Sequence, residues 1–256
     1  MVKKAFKWIY LTLILIFLYA PIVVMIALSF NESSSSAVWT GFTTKWYVQL
    51  LDNQNILDAL EVTLSVAVIA TAASTVLGTL AAIGIHSMKK GWANAILNVS
   101  YLPMTMPDIV TGISLMMLFV FTRIETGYVT MVLAHIAFDT PYVLFAVLPK
   151  LKQMNPNMYE AALDLGCKPM KAIAKVIIPE ISPGIVSGSL LAFTMSIDDF
   201  IISYFTGGTV NNLSMAVFGS AKSGVSPSMY ALSTIMFLVV LTLLLIINRR
   251  SSLEDV

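Results

Sequence analysis

The chain reads as an all-α, polytopic membrane protein with six transmembrane helices, and three properties support this. Hydrophobic residues make up 57% of the 256 positions and charged residues 11%, with a mean hydropathy of +0.84. Soluble domains carry about 25% charged residues, so an ordinary water-soluble globule is excluded. The apolar residues gather into six runs, at 8–30, 62–85, 99–122, 127–149, 183–206 and 229–247. Lys and Arg, in turn, crowd into alternate connecting segments.

Each run holds 19 to 24 residues, enough for a helix to cross a hydrocarbon core about 30 Å thick. The runs are continuous, whereas barrel strands need ~10-residue segments of alternating polarity. The first run follows Lys3, Lys4 and Lys7, as a secretory signal would. Its 23 residues exceed the usual signal length and no A-x-A site follows, so an uncleaved helix is expected. The second is rich in small residues, among them Ala67, Ala70, Ser74, Gly78 and Ala82, which predicts packing against protein. The fifth opens with Pro183, and its Gly184 and Gly188 form a G-x-x-x-G spacing that permits close approach of two helix backbones.

Orientation follows from the cations. Lys3, Lys4, Lys7, Lys89, Lys90, Lys150, Lys152, Lys168, Lys171, Lys175, Arg249 and Arg250 fall on one side of a six-span chain, and only Lys45, Arg123 and Lys222 on the other. Both termini and the 150–182 loop are therefore expected in the cytoplasm. Residues 1–256 read as a single transmembrane domain without solenoid repeats. An outer loop begins at the serine run Ser33 to Ser36 and carries Trp39, Trp46 and Tyr47, read as interfacial anchors. Cys167 is the only cysteine, which excludes an intrachain disulfide and a thiolate metal cluster. A net charge of +1 gives no hint of nucleic acid, and Glu254-Asp255 reads as a solvated tail.

The 150–182 loop is long for a link between spans, yet it is not low-complexity. Asn155-Pro156-Asn157 is turn chemistry. Glu160 to Leu165 is helix-forming, with Glu160 near the N-terminus, where a carboxylate is favoured, and Gly166 as its C-terminal stop. Lys171 to Ile178 reads as a second helix ending at Pro179. Glu160-Ala161-Ala162, three residues, Gly166, nine residues and Val176-Ile177-Ile178-Pro179 together resemble the cytoplasmic "EAA" loop of permease subunits in ABC importers. Asn31, the segment Gly41 to Tyr47, Pro107-Asp108-Ile109-Val110 and Ser196-Ile197-Asp198-Asp199 resemble the spermidine/putrescine-type permeases of that class.

The resemblance implies a type I ABC importer permease fold in a bacterial plasma membrane. It implies that Glu160, Ala161, Ala162 and Gly166 couple to a separate ATPase. It further implies a heterodimer with a second permease, on two ATPase subunits, fed by an extracytoplasmic polyamine-binding protein. No G-x-x-x-x-G-K-[ST] sequence is present, so the chain is expected to bind no cofactor, to be no enzyme itself, and to leave ATP-Mg to its partners.

Four carboxylates fall inside apolar runs, where a charge costs at least about 2.5–3.5 kcal/mol. At ~1.5 Å per residue, Asp108 lies roughly 14 Å into the third run and Asp139 roughly 18 Å into the fourth, both near mid-depth. Asp198 and Asp199 lie in the outer half of the fifth. With no Lys or Arg at comparable depth, such acids suit a polycationic substrate. Asp108, Asp198 and Asp199 are candidate substrate contacts, and Tyr204 can add a cation–π contact. Alternatives remain. Asp108 follows Pro103 and Pro107, and its carboxylate can cap backbone freed by an interrupted helix. Asp198 and Asp199 point about 100° apart, so one can line the path while the other reaches backbone or a partner. Asp139, four residues after His135, is expected to hydrogen-bond it. The alternative functions are an ABC permease for another small solute and an ion-coupled secondary transporter, the latter disfavoured by the EAA-like loop.

Overall fold

The computed structural model describes residues 2–35, 37–155, 157–223 and 226–254, with side chains over 7–35, 37–155, 157–222 and 226–242. Ser36, Pro156 and Asp255, and the side chains of Lys3, Lys4, Arg249, Arg250 and Glu254, lie outside the described residues. Among the described residues the regular structure is helical, apart from one isolated antiparallel bridge between Asn31 and Phe42. The chain divides into two compact units, residues 1–57 with 217–256, and residues 58–216.

The first unit contains α1 (Val2–Leu28), the short α2 (Lys45–Leu51) and, from the C-terminal part, a long helix (Pro227–Glu254) that packs on both. The 29–44 loop is folded around Asn31, which is fully buried. The Asn31 amide donates to the carbonyls of Val38 (2.8 Å) and Ser35 (3.2 Å), and its Oδ1 accepts the Thr40 N–H (3.1 Å). Trp46 donates its indole N–H to the Asn31 carbonyl at 2.6 Å, and the Tyr47 hydroxyl meets Ser29 at 2.7 Å. Two of the aromatic residues expected to anchor in the interface therefore tie this loop together, while Trp39 is 55% exposed.

The second unit begins within α3 (Gln54–His86) and continues through α4 (Lys90–Thr105), α5 (Asp108–Phe121) and α6 (Tyr128–Gln153). After the cytoplasmic-loop helix α7 (Asn157–Asp164) come α8 (Pro169–Ala172), a π-turn at Ile173–Ile177, and α9 (Ile178–Glu180). Then follow α10 (Ser182–Asp198), α11 (Ile201–Thr206) and α12 (Leu213–Ser223), and the helix Pro227–Glu254 is α13. Among the described residues, two of the six expected crossings form as bent helix pairs. By length and composition α1, α3 and α6 can each cross a membrane alone among the described residues, rising to five crossings if two bent pairs count as one each. The pair α4–α5 bends by 108° and Pro169–Glu180 with α10 by 72°. Pro107 explains the first bend: it forces Met106 into an extended conformation (φ −80°, ψ 149°) and offers no N–H. The stretch expected to stop at Pro179 stays helical to Glu180. The π-turn before it carries the Ile178 N–H to the Ile173 carbonyl, five residues back, which accommodates the proline.

The core of the second unit is built on α6. Val143, Leu144, Val147 and Leu151 form one buried cluster with Ala82 and Ile85 of α3 and Ile177, Ile181 and Ala192. Glycine sets how close the neighbours come. A Cβ on Gly188 would stand 3.0 Å from the Val143 Cα, and one on Gly184 3.1 Å from the Ala146 carbonyl. The G-x-x-x-G of α10 is therefore spent inside this chain, against α6. Gly78 brings α3 equally close, 2.9 Å from the Thr140 carbonyl. Replacing Gly188 with Leu is expected to destabilise by about 1–3 kcal/mol through overpacking, read as a lower Tm of the purified protein in detergent. Replacement of the exposed Gly91, which has nothing within 4 Å, is the control that should leave Tm unchanged.

Candidate functional site

The fifth apolar run is broken near its C-terminal end, and the break is held by a buried polar network. Asp199 leaves the helical path (ψ 125°), ending α10 and opening α11 two residues later. A new helix start exposes backbone N–H groups, and the Asp199 carboxylate accepts those of Ile202 (3.1 Å) and Ser203 (2.7 Å) together with the Ser203 hydroxyl (2.8 Å). Asn212 closes the other side, donating to the Asp199 carbonyl (2.9 Å) and the Ser203 hydroxyl (2.8 Å). His135 of α6 reaches in from a third helix. Its Nδ1 lies 2.6 Å from the Ser196 hydroxyl, its Nε2 2.9 Å from that of Ser203 and 3.4 Å from Asp199 Oδ2.

His135 therefore does not bond Asp139, as the i, i+4 spacing suggested. Both ring nitrogens are taken across the α6–α10–α11 junction, and Asp139 is left fully buried without a hydrogen-bond partner. Of the two adjacent acids, Asp199 turns inward, its side chain 7% exposed, while Asp198 is exposed. Asp108 opens α5, with Pro107 before it, and is exposed. It lies within electrostatic reach of Asp198, so the two exposed acids share one region. α5 and α11 are in close contact there, a Cβ on Gly112 falling 3.1 Å from the Phe205 ring. Tyr204 is 56% exposed and belongs to an aromatic group with Phe200 and Phe205, ring centroids 5.5 and 5.4 Å apart. The arrangement offers two unburied carboxylates and an aromatic face, the elements that hold an organic cation.

The 150–182 loop forms a second candidate surface. In α7, Glu160 and Ala161 are exposed and Ala162 half-buried, while Tyr159 packs into the α6 cluster and fixes the helix. Gly166 adopts φ +83°, the left-handed conformation that favours glycine. There the Gly166 N–H bonds the Leu163 carbonyl (2.8 Å) and the Cys167 N–H that of Ala162 (3.1 Å), a Schellman closure. Leu165, 89% exposed, and Met170, 76% exposed, stand beside it as unpartnered apolar side chains. A short rigid helix with a bare apolar rim is a shape suited to docking.

Residues 74–252 match the family model described as binding-protein-dependent transport system inner membrane component. The spermidine/putrescine transport system permease protein PotC of Escherichia coli K12 is 36% identical over 256 residues, covering 100% of this chain and 96% of the relative. The putrescine transport system permease protein PotI of the same organism is 36% identical over 242 residues, covering 91% and 86%. This chain belongs to that family of inner membrane transport components. Among solved structures, a bacterial ABC transporter involved in the import of the acidic polysaccharide alginate superposes with a TM-score of 0.72 at 17% identity, over 98% of this chain and 95% of that one. An amino acid ABC transporter with histidines gives 0.58 at 18%, over 82% and 100%. These likenesses establish the fold as that of an ABC importer permease.

Within the permease, sequence reasoning singled out the acids but missed Ser196, Ser203 and Asn212, all buried and all bonded to the break. Serine and asparagine are common in such segments, so composition carries no signal for them, and their meaning comes from meeting His135, 61 and 68 residues away in sequence for the serines. Asn212→Ala is expected to lower stability by about 1–3 kcal/mol, because buried polar groups lose their partner. Asp198→Asn, on an exposed side chain, should leave the thermal midpoint in detergent unchanged.

Proposed function

We propose that this permease conducts polyamines, spermidine and putrescine, across the bacterial plasma membrane as one subunit of an ATP-driven importer. The observation that carries the reading is the 36% identity to a spermidine/putrescine permease over the whole chain, joined to acids without accompanying cations in the apolar segments. Asp108 and Asp198 take substrate ammonium groups, Tyr204 supplies an aromatic face, and Asp199 acts by holding the broken helix beside them. The chain is a single transmembrane domain with six crossings, counting bent and broken helices as crossings, and with both termini in the cytoplasm.

The importer pairs this chain with a second permease, two ATPase subunits and an extracytoplasmic polyamine-binding protein. A solved relative, the alginate transporter, is itself captured in complex with an alginate pentasaccharide-bound periplasmic protein. Glu160, Ala161, Ala162 and Gly166 form the dock for the ATPase, which alone uses ATP-Mg; this chain holds no cofactor. Tyr159 and Ile173 join that dock to the α6 cluster that also contains Ile181, at the base of α10, so a push on α7 reaches the helix that ends at Asp198.

The test is uptake of radiolabelled putrescine and spermidine by the complete complex in liposomes. Losing one charge-assisted contact of about 1.5–3 kcal/mol lowers a rate roughly ten- to a hundredfold, so Asp108→Asn and Asp198→Asn should each reduce uptake by that order. The deficit should be larger for spermidine, which carries more charge, with binding to the external protein unchanged. Near-normal transport by the double variant at normal abundance would overturn the assignment. For the dock, Glu160→Lys should abolish uptake and release the ATPase in co-purification while the chain still inserts; an assembled variant with normal substrate-stimulated hydrolysis would contradict it.

A further inference from the structure

The adjacent helices α3 and α6 carry a group of buried polar side chains that nothing in this conformation satisfies. Asp139 is 0% exposed, and neither carboxylate oxygen has a hydrogen-bond partner. On α3 the hydroxyl oxygens of Thr71, Thr75 and Thr79 are likewise buried and unpartnered. Threonine inside a helix ordinarily bonds a carbonyl one turn back, as Thr63, Thr140, Thr194, Thr206 and Thr234 do in this protein. Three exceptions at every fourth position lie along one side of α3.

The packing places these groups at one level. Val66 of α3 clusters with Met131 and Val132 of α6, and further along Ala82 and Ile85 cluster with Val143 and Val147. The two helices therefore run side by side in the same direction. Between those clusters Gly78 approaches the carbonyl of Thr140, the residue after Asp139. A sealed carboxylate without donors is strongly disfavoured. A cation bearing several N–H donors has the chemistry to satisfy such acceptors. Between Val66 and Ile85 the α3 residues Ala67, Ala70, Ser74 and Ala82 are all buried and all small, so few long side chains interlock over this stretch to oppose separation of the helices.

We propose that Asp139, with the hydroxyls of Thr71, Thr75 and Thr79, is an ammonium-binding station of the translocation path, closed in this conformation and opened when α3 and α6 part during transport. It rests on the polyamine reading above and adds a third carboxylate to Asp108 and Asp198. An alkylammonium head donates up to three N–H groups, matching acceptors that here have none.

The experiment uses the complete reconstituted complex. Asp139→Asn keeps the shape and removes the charge. Maximal uptake of putrescine and spermidine should fall at least tenfold, with half-saturation unchanged because capture occurs at the external protein. Independently, Thr75→Cys in a Cys167→Ser background should react with an ammonium-bearing methanethiosulfonate only during ATP-driven turnover, and added putrescine should slow the reaction. Normal maximal uptake by Asp139→Asn overturns the station, as does a Thr75→Cys thiol that stays unreactive during turnover or reacts equally at rest. The thiol measurement retains the native Asp139, so it decides the matter even if the Asn variant fails to accumulate. Failure of the polyamine reading looks different: the unsubstituted complex would take up neither amine.

Discussion

A helix broken inside a membrane must satisfy its freed backbone groups from within, because hydrocarbon offers no water to do so. The rest of the candidate site depends on how this chain meets that requirement. At Met106–Pro107 the proline removes one N–H outright. At Asp199–Phe200 no proline helps, and a carboxylate, an asparagine, two serines and a histidine from another helix are assembled instead. The two breaks put an exposed acid at a helix end in each case, Asp108 at the start of α5 and Asp198 at the end of α10. The dipole favours the first and opposes the second. Asp198 thus sits where its own helix repels it, and a cation arriving there gains more than at a neutral position.

The close packing around α6 gives that arrangement a rigid frame. Glycines on α3 and α10 bring both helices nearly to backbone contact with α6, and tightly packed interfaces shift between discrete arrangements more readily than they deform. One end of the same frame includes Tyr159 of α7 and Ile173 and Ile177 of the π-turn. A π-turn is a place where a helix can change register locally. In the proposed coupling, its location between the exposed α7 surface and the base of α10 lets it pass displacement from one to the other.

Much of this was legible in the sequence. The apolar runs located α1, α3, α6 and α13 to within a few residues at most ends, and the glycine stop at 166 followed from one residue type in one context. The bends were legible only in part. Pro107 announced one interruption, but nothing local distinguishes Asp199-Phe200 from a continuous helix, because that break exists through partners on α6 and at Asn212. Misreading the His135–Asp139 pair has the same origin. The i, i+4 spacing is a local rule, and tertiary partners at Ser196, Ser203 and Asp199 outcompeted it.

The four intramembrane acids now separate by what each already touches. Asp199 is consumed by backbone and serine donors, so its charge is spent on structure. Asp108 and Asp198 are exposed within electrostatic reach of one another, a pair whose repulsion a cation relieves. Asp139 has no donor at all. A single compact cation could neutralise one such position. A flexible chain carrying separated ammonium groups can answer several, each in turn exchanging its water for a carboxylate as it advances. Under the proposed polyamine reading, the acids of α5, α6 and α10 are met in turn by such a chain.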